Sequence, residues 1–96
     1  MKNSIDYAAG AIVSKVITKN NGGNVTLFAF DKGQNLSEHT APFDAMVQLV
    51  EGKGVITIDG TEYELTEGEV IIMPANIPHA VEAKLQFKML LTMIKA

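Results

Sequence analysis

Gly68-Glu69-Val70-Ile71-Ile72-Met73-Pro74-Ala75-Asn76-Ile77-Pro78-His79-Ala80-Val81-Glu82-Ala83 carries the strongest structural signal in the chain. Val70, Ile71 and Ile72 are β-branched and read as a short strand, because branching at Cβ suits a pleated, half-buried surface. Pro74 ends that strand, since it cannot donate to a ladder. Pro74 and Pro78 bracket a stiff turn, and Asn76 between them is a residue that tolerates left-handed geometry. His79 follows the second proline at once. The stretch therefore predicts strand, rigid turn and strand, with an imidazole set at the exit of the turn.

The same grammar extends outward in both directions. Asp59-Gly60 separates residues 55–58 from residues 62–65, a two-residue hairpin signal. The cluster Asn20-Asn21-Gly22-Gly23-Asn24 reads as a hairpin loop between β-branched residues 11–18 and the run 25–30. Residues 45–50 form another apolar run, which Glu51-Gly52 is expected to end. In residues 85–94, Leu85, Phe87, Met89, Leu91 and Met93 alternate with Gln86, Lys88 and Thr92, a period of two. About eight short strands with frequent turns, and no long amphipathic helix, predict an all-β sandwich or barrel. Residues 25–30 are apolar on both faces: Val25, Leu27 and Ala29 on one, Phe28 and Phe30 on the other. One face can line a barrel while the other meets loops or a second subunit.

The chain has 96 residues, 47% of them hydrophobic, and a formal net charge of −3. That length suits a single domain, residues 1–96, burying roughly 64% of its unfolded surface. No cysteine is present, which removes disulfides, thiol nucleophiles and Cys-ligated metal centres. Eight Lys+Arg face eleven Asp+Glu, and every cation is a lysine, scattered along the chain. No basic footprint for nucleic acid results, and no guanidinium clamp for phosphate. No apolar run reaches membrane-spanning length, and the N-terminus lacks the apolar region of a secretory signal. A cytoplasmic location without membrane contact is expected. The first ten residues are expected to be loosely held or exchanged between subunits. The methionines, Met1 included, are read chiefly as core, with Met46 or Met73 able to shape a cavity.

The chain has two histidines, His39 and His79. Around the first runs Gly33-Gln34-Asn35-Leu36-Ser37-Glu38-His39-Thr40-Ala41-Pro42-Phe43-Asp44-Ala45, followed after six residues by Gly52. This segment and the one from Gly68 to Ala83 resemble the two signature motifs of the cupin superfamily. Those motifs are a glycine, five residues, His-x-His, three or four residues, a glutamate, six residues and a glycine; and a glycine, five residues, Pro-x-Gly, two residues, a histidine, three residues and an asparagine. Gly33, His39, Gly52, Gly68, Pro74 and His79 stand at matching positions. The resemblance covers residues 25–95. It implies a double-stranded β-helix, or jelly-roll, barrel. It also implies a homodimer in which an N-terminal segment, residues 1–24, exchanges between subunits.

Cupins usually hold one divalent transition metal on three histidines and a glutamate. Here Ala41 takes the place of the second histidine, Ala45 that of the glutamate, Asn76 that of the glycine of Pro-x-Gly, and Ala83 that of the closing asparagine. His39 and His79 are the surviving ligands, where catalytic zinc sites keep three. Asp44 and Glu38 neighbour the ligand positions but point to the opposite face of an extended strand, unless a bulge at Pro42 re-aims Asp44. Two readings of the site follow. In the first, His39, Ala41, Ala45, Asn76 and His79 bound a pocket for a small organic molecule, without metal. In the second, His39 and His79 hold nickel, zinc, iron or manganese completed by substrate or water, in an enzyme of isomerase or oxygenase type. A structural or interaction protein is the third possibility. The sequence shows no nucleophile elbow and no phosphate loop, so it leaves catalysis open.

Overall fold

The computed structural model describes residues 2–94; the core role expected of Met1 falls outside them. A short 3₁₀ turn, Lys2–Ser4, precedes eight strands: β1 (Ile12–Asn20), β2 (Gly23–Phe30), β3 (Asn35–His39), β4 (Asp44–Ile58), β5 (Thr61–Thr66), β6 (Val70–Met73), β7 (His79–Glu82) and β8 (Phe87–Ile94). Every pairing is antiparallel. The order β1-β2-β8-β4-β7-β3 curls into a barrel, with β5 and β6 also paired to β4. The all-β jelly-roll expected from the sequence is the fold observed. β1 pairs along its length with β2, so the sheet begins well before residue 25.

Both predicted hairpins form. Asp59 and Gly60 adopt φ of 51° and 81°, the left-handed pair that matches strand twist in a two-residue turn. Glu51-Gly52, expected to end a strand, instead lies inside the 15-residue β4. The ladder with β8 shifts register between Leu49 and Glu51. This bulge inserts one residue and inverts the alternation of faces. Ala45, Val47 and Leu49 are buried before it; Gly54, Val55 and Ile56 are buried after it, and of these Ile56 joins the main core cluster. Gly52 has φ of 83°, and a Cβ there would sit 2.4 Å from the Gln86 carbonyl oxygen. The pair bends one strand so that its first half joins β6 and β8 and its second half joins β5 and β7.

The interior is solid at one end and hollow at the other. Phe30 and Phe87 stack at 4.6 Å between centroids and 9° between planes. Val47, Leu49 and Ile56 close around them. Gly54 lets Phe87 approach, since an added Cβ would meet its ring at 3.0 Å. Outside the barrel, a second cluster joins Ile5 to Leu27 and Ala29, with Tyr7 and Leu90 packed beside them. The N-terminal segment thus covers part of the second apolar face of β2.

Candidate functional site

The hollow end lies where β3 meets β7. His39 and His79 are register partners across that pair. Their Nε2 atoms are 3.2 Å apart, and their rings meet edge to face at 4.4 Å between centroids. His39 Nδ1 lies 2.7 Å from the Ser37 carbonyl oxygen, and His79 Nδ1 lies 3.2 Å from that of Ile77. A carbonyl only accepts, so in each ring Nδ1 carries the proton and donates it. In the neutral state neither Nε2 then has a proton, and two lone pairs face one another. The contact becomes attractive when a proton, a donor or a cation lies between them. His79 is buried and His39 is exposed. Burial pushes the pKa of His79 below the ordinary imidazole range; the Ile77 carbonyl opposes this, and the charge of a protonated His39 adds to it.

Two prolines and a latch hold His79 in place. The Asn76 N–H donates to the Ala41 carbonyl at 2.8 Å, and the Ala75 N–H donates to Asp44 Oδ1 at 2.8 Å. The turn after β6 is thereby tied to the segment between β3 and β4. Asn76 has φ of 64°, as expected for a residue standing in a glycine position. It does not line the cavity, contrary to its inclusion in the pocket: its role is in the turn. Asp44 and Glu38 are exposed, and Asp44 spends its carboxylate on the latch rather than turning inward.

The cavity beneath the imidazoles has a volume of ≈ 60 Å³. Ala41 and Ala45 form part of its wall, together with His39 and His79. Leu36 and Val81 line it from β3 and β7, and Met89, Leu91 and Met93 from β8. Met73 lines it from β6 and is buried, so it serves both as core and as wall. Ala45 is the register partner of both Met73 and Met93, which flank it on the inner face. The thioethers of β8 were legible as an alternating strand; their meeting with Met73 was not, because it depends on β4 lying between β6 and β8.

The cavity wall contains no carboxylate. Among the described residues no three His, Cys, Asp or Glu side chains converge as metal ligands. A divalent ion on three imidazoles and a carboxylate does not fit this donor set. Two imidazole nitrogens over an apolar, thioether-rich wall accept hydrogen bonds or a soft cation instead.

A second polar group lies on the outer face, unseen in the sequence. The bulge turns Glu51 toward Lys88, whose Nζ is 3.5 Å from Glu51 Oε2 and 4.9 Å from the centroid of the Tyr7 ring. The Tyr7 hydroxyl donates to the same Glu51 oxygen at 2.7 Å. Burial, with Glu51 beside it, holds that hydroxyl protonated well above the ordinary phenol range. Tyr7 does more than the packing expected of it: it fastens the N-terminal segment.

Comparison with functionally curated proteins finds no match. Among solved structures, a conserved protein of unknown function from Streptococcus pyogenes is 39% identical, with a TM-score of 0.88, covering 93% of this chain and 78% of that one. A cupin 2 conserved barrel domain protein from Leptotrichia buccalis is 40% identical, with a TM-score of 0.95, covering 99% of this chain and 46% of that one. A salicylate 1,2-dioxygenase from Pseudoaminobacter salicylatoxidans shares the fold at 14% identity and a TM-score of 0.82, over 97% of this chain and 27% of that one. The sequence profile described as "Cupin domain" matches residues 26–94. With the barrel, both motif segments and the paired histidines in register, the chain belongs to the cupin family.

Proposed function

We propose that this cupin binds a small organic molecule in the hollow end of its barrel, with an apolar body in the cavity and a hydrogen-bond donor at the histidines. The observation that carries this reading is an apolar space of ≈ 60 Å³ lined at its polar end by two imidazoles whose Nε2 atoms meet at 3.2 Å. By water-sized occupancy the space takes roughly four or five small groups. A hydroxyl head donates to one of the facing lone pairs and an amine head to both, whereas a carboxylate adds a third acceptor to them. The rival reading, a divalent-metal enzyme of isomerase or oxygenase type, has the donor set against it.

Chemical-shift titration with 1-pentanol, pentylamine and pentanoate tests the proposal. The alcohol and the amine should perturb Ala41, Ala45 and His79 saturably, pentanoate much less, and Ala45→Leu should abolish the response by filling the space. No perturbation by any of the three, or an undiminished response in Ala45→Leu, would sink it.

We also propose a homodimer through the outer face of β6 and β4. Val70 and Ile72 stand about half-exposed there, at 49% and 51%, opposite Gln48 and Met46. This apolar strip lies next to the face that the N-terminal segment covers.

A further inference from the structure

We propose that Asn21 is a self-modifying site: it converts spontaneously to aspartate and isoaspartate, Asn20 holds the rate down, and the conversion loosens β1. Three observations carry the inference. First, of the six asparagines only Asn21 is followed by glycine. The other five precede residues with side chains, which hinder attack by the next backbone nitrogen. Second, Asn21 and Gly22 form the exposed tip of the hairpin between β1 and β2, closed by the pair Asn20 and Gly23. Exposed tips open locally at little cost. Third, the Gly22 N–H donates to Asn20 Oδ1 at 2.8 Å. That nitrogen is the one that must react.

The chemistry is an internal acyl transfer. The Gly22 nitrogen, once deprotonated, attacks Cγ of Asn21. A Cγ–N bond forms, the Cγ–Nδ2 bond breaks, and Nδ2 leaves as ammonia with the proton. The resulting succinimide is opened by water. Addition at Cγ gives aspartate; addition at the backbone carbonyl carbon gives isoaspartate, whose main chain runs through Cβ and Cγ. Overall, an amide and a water become a carboxylate and an ammonium ion, so no oxidant or reductant takes part. The bond to Asn20 Oδ1 opposes the first step. It commits the Gly22 N–H, and the lone pairs of the oxygen disfavour an amide anion beside them.

The structural consequence falls on β1. β2 is paired on both sides, and at Gly23 even a Cβ would collide with the Met93 carbonyl oxygen. β1 ends the sheet order and already carries a register shift between Val16 and Thr18. β1 therefore absorbs the extra backbone atom of isoaspartate and frays from Asn20 toward Thr18. Either product also places a new negative charge at the tip.

The test incubates the purified full-length protein in mildly alkaline buffer, folded or unfolded in urea, and follows it by mass spectrometry and peptide mapping. The peptide holding Asn21 should gain one mass unit ahead of every other asparagine. Folded wild type should convert more slowly than the unfolded chain, a comparison that needs no variant. Asn20→Ala should speed conversion of the folded protein by about two- to twelvefold, the worth of one hydrogen bond, and leave the unfolded rate unchanged. Asn20→Asp keeps an acceptor and should stay as slow as wild type. Gly22 is not in left-handed geometry, so Gly22→Ala should fold and nearly stop the conversion. Circular dichroism checks the fold of each variant. In the isoaspartate form, hydrogen exchange should quicken at residues 18–20 and stay unchanged in the ladder between β2 and β8. Equal rates in folded and unfolded wild type, an unchanged rate in folded Asn20→Ala, faster conversion at another asparagine, or a fully protected β1 in the isoaspartate form overturns the proposal.

Discussion

Ala41 and Ala45 line the cavity beneath the two histidines. The motif resemblance sets each at a position where cupins place a metal ligand. Restoring both donors tests the assignment directly. Ala41→His with Ala45→Glu should create a tight site for nickel(II) or manganese(II), measured by isothermal titration. Ala45 is only 3% exposed, so the new carboxylate should destabilise the metal-free protein by several kcal/mol. Excess metal should restore that loss through linkage. A double variant that folds yet binds divalent ions no better than wild type would show that these positions do not face one centre. Asp31 illustrates a different residue-scale effect. Its carboxylate accepts from the Gly10 N–H at 2.6 Å and from Gln86 at 2.9 Å, which hold its pKa below the ordinary carboxylate range. The unfolded chain therefore binds the proton at higher pH than the folded one, and stability rises with pH across that window. The stability difference between wild type and Asp31→Asn should be full at neutral pH. It should shrink as the pH falls through the carboxylate range, read from urea unfolding at a series of pH values, and high salt should weaken it because the group is exposed.

At the scale of the element, β4 carries the most information. Its first half builds the cavity and its second half closes the far wall, and the bulge at residues 49–51 joins them with inverted alternation. Gly52 is needed there because its φ of 83° and the Gln86 carbonyl leave no room for a side chain. Gly52→Ala should cost at least about 1–3 kcal/mol of stability in chemical denaturation, whereas Gly60→Ala, whose Cβ would meet nothing within 4 Å, should pay only its backbone strain. The same bulge places Glu51 over Lys88 and under Tyr7. Glu51→Gln should destabilise more than Lys88→Met. The first leaves an ammonium that is only 7% exposed beside a neutral partner, while the second replaces the charge with an apolar side chain of similar length. Urea midpoints of the two variants measured side by side decide the order.

For the whole molecule, the exposed area of 5349 Å² is close to the roughly 5,400 Å² expected of a compact chain of this mass. The protomer therefore closes its own core, and the apolar strip of Val70 and Ile72 is surplus to folding. If that strip is the dimer face, wild type should elute as a dimer in size-exclusion chromatography with light scattering. Ile72→Lys should give a folded monomer. A wild-type monomer near 10.4 kDa at micromolar concentration would overturn the dimer.

Much of this was legible in the residues. Period-two alternation, Asp59-Gly60, the paired prolines and the spacing of glycines around His39 and His79 are local signals, and short-range sterics enforce each of them. They determined the strands, two hairpins and the jelly-roll. The tertiary structure alone decided the rest. It decided that Glu51-Gly52 bends a strand instead of ending it, because a glycine at positive φ serves a turn and a bulge equally well. It decided that Asn76 latches the turn, since only the approach of Ala41 supplies its acceptor. It decided, too, that Met73 and Met93 flank Ala45: residues 20 to 48 positions apart become neighbours only when β4 inserts between β6 and β8.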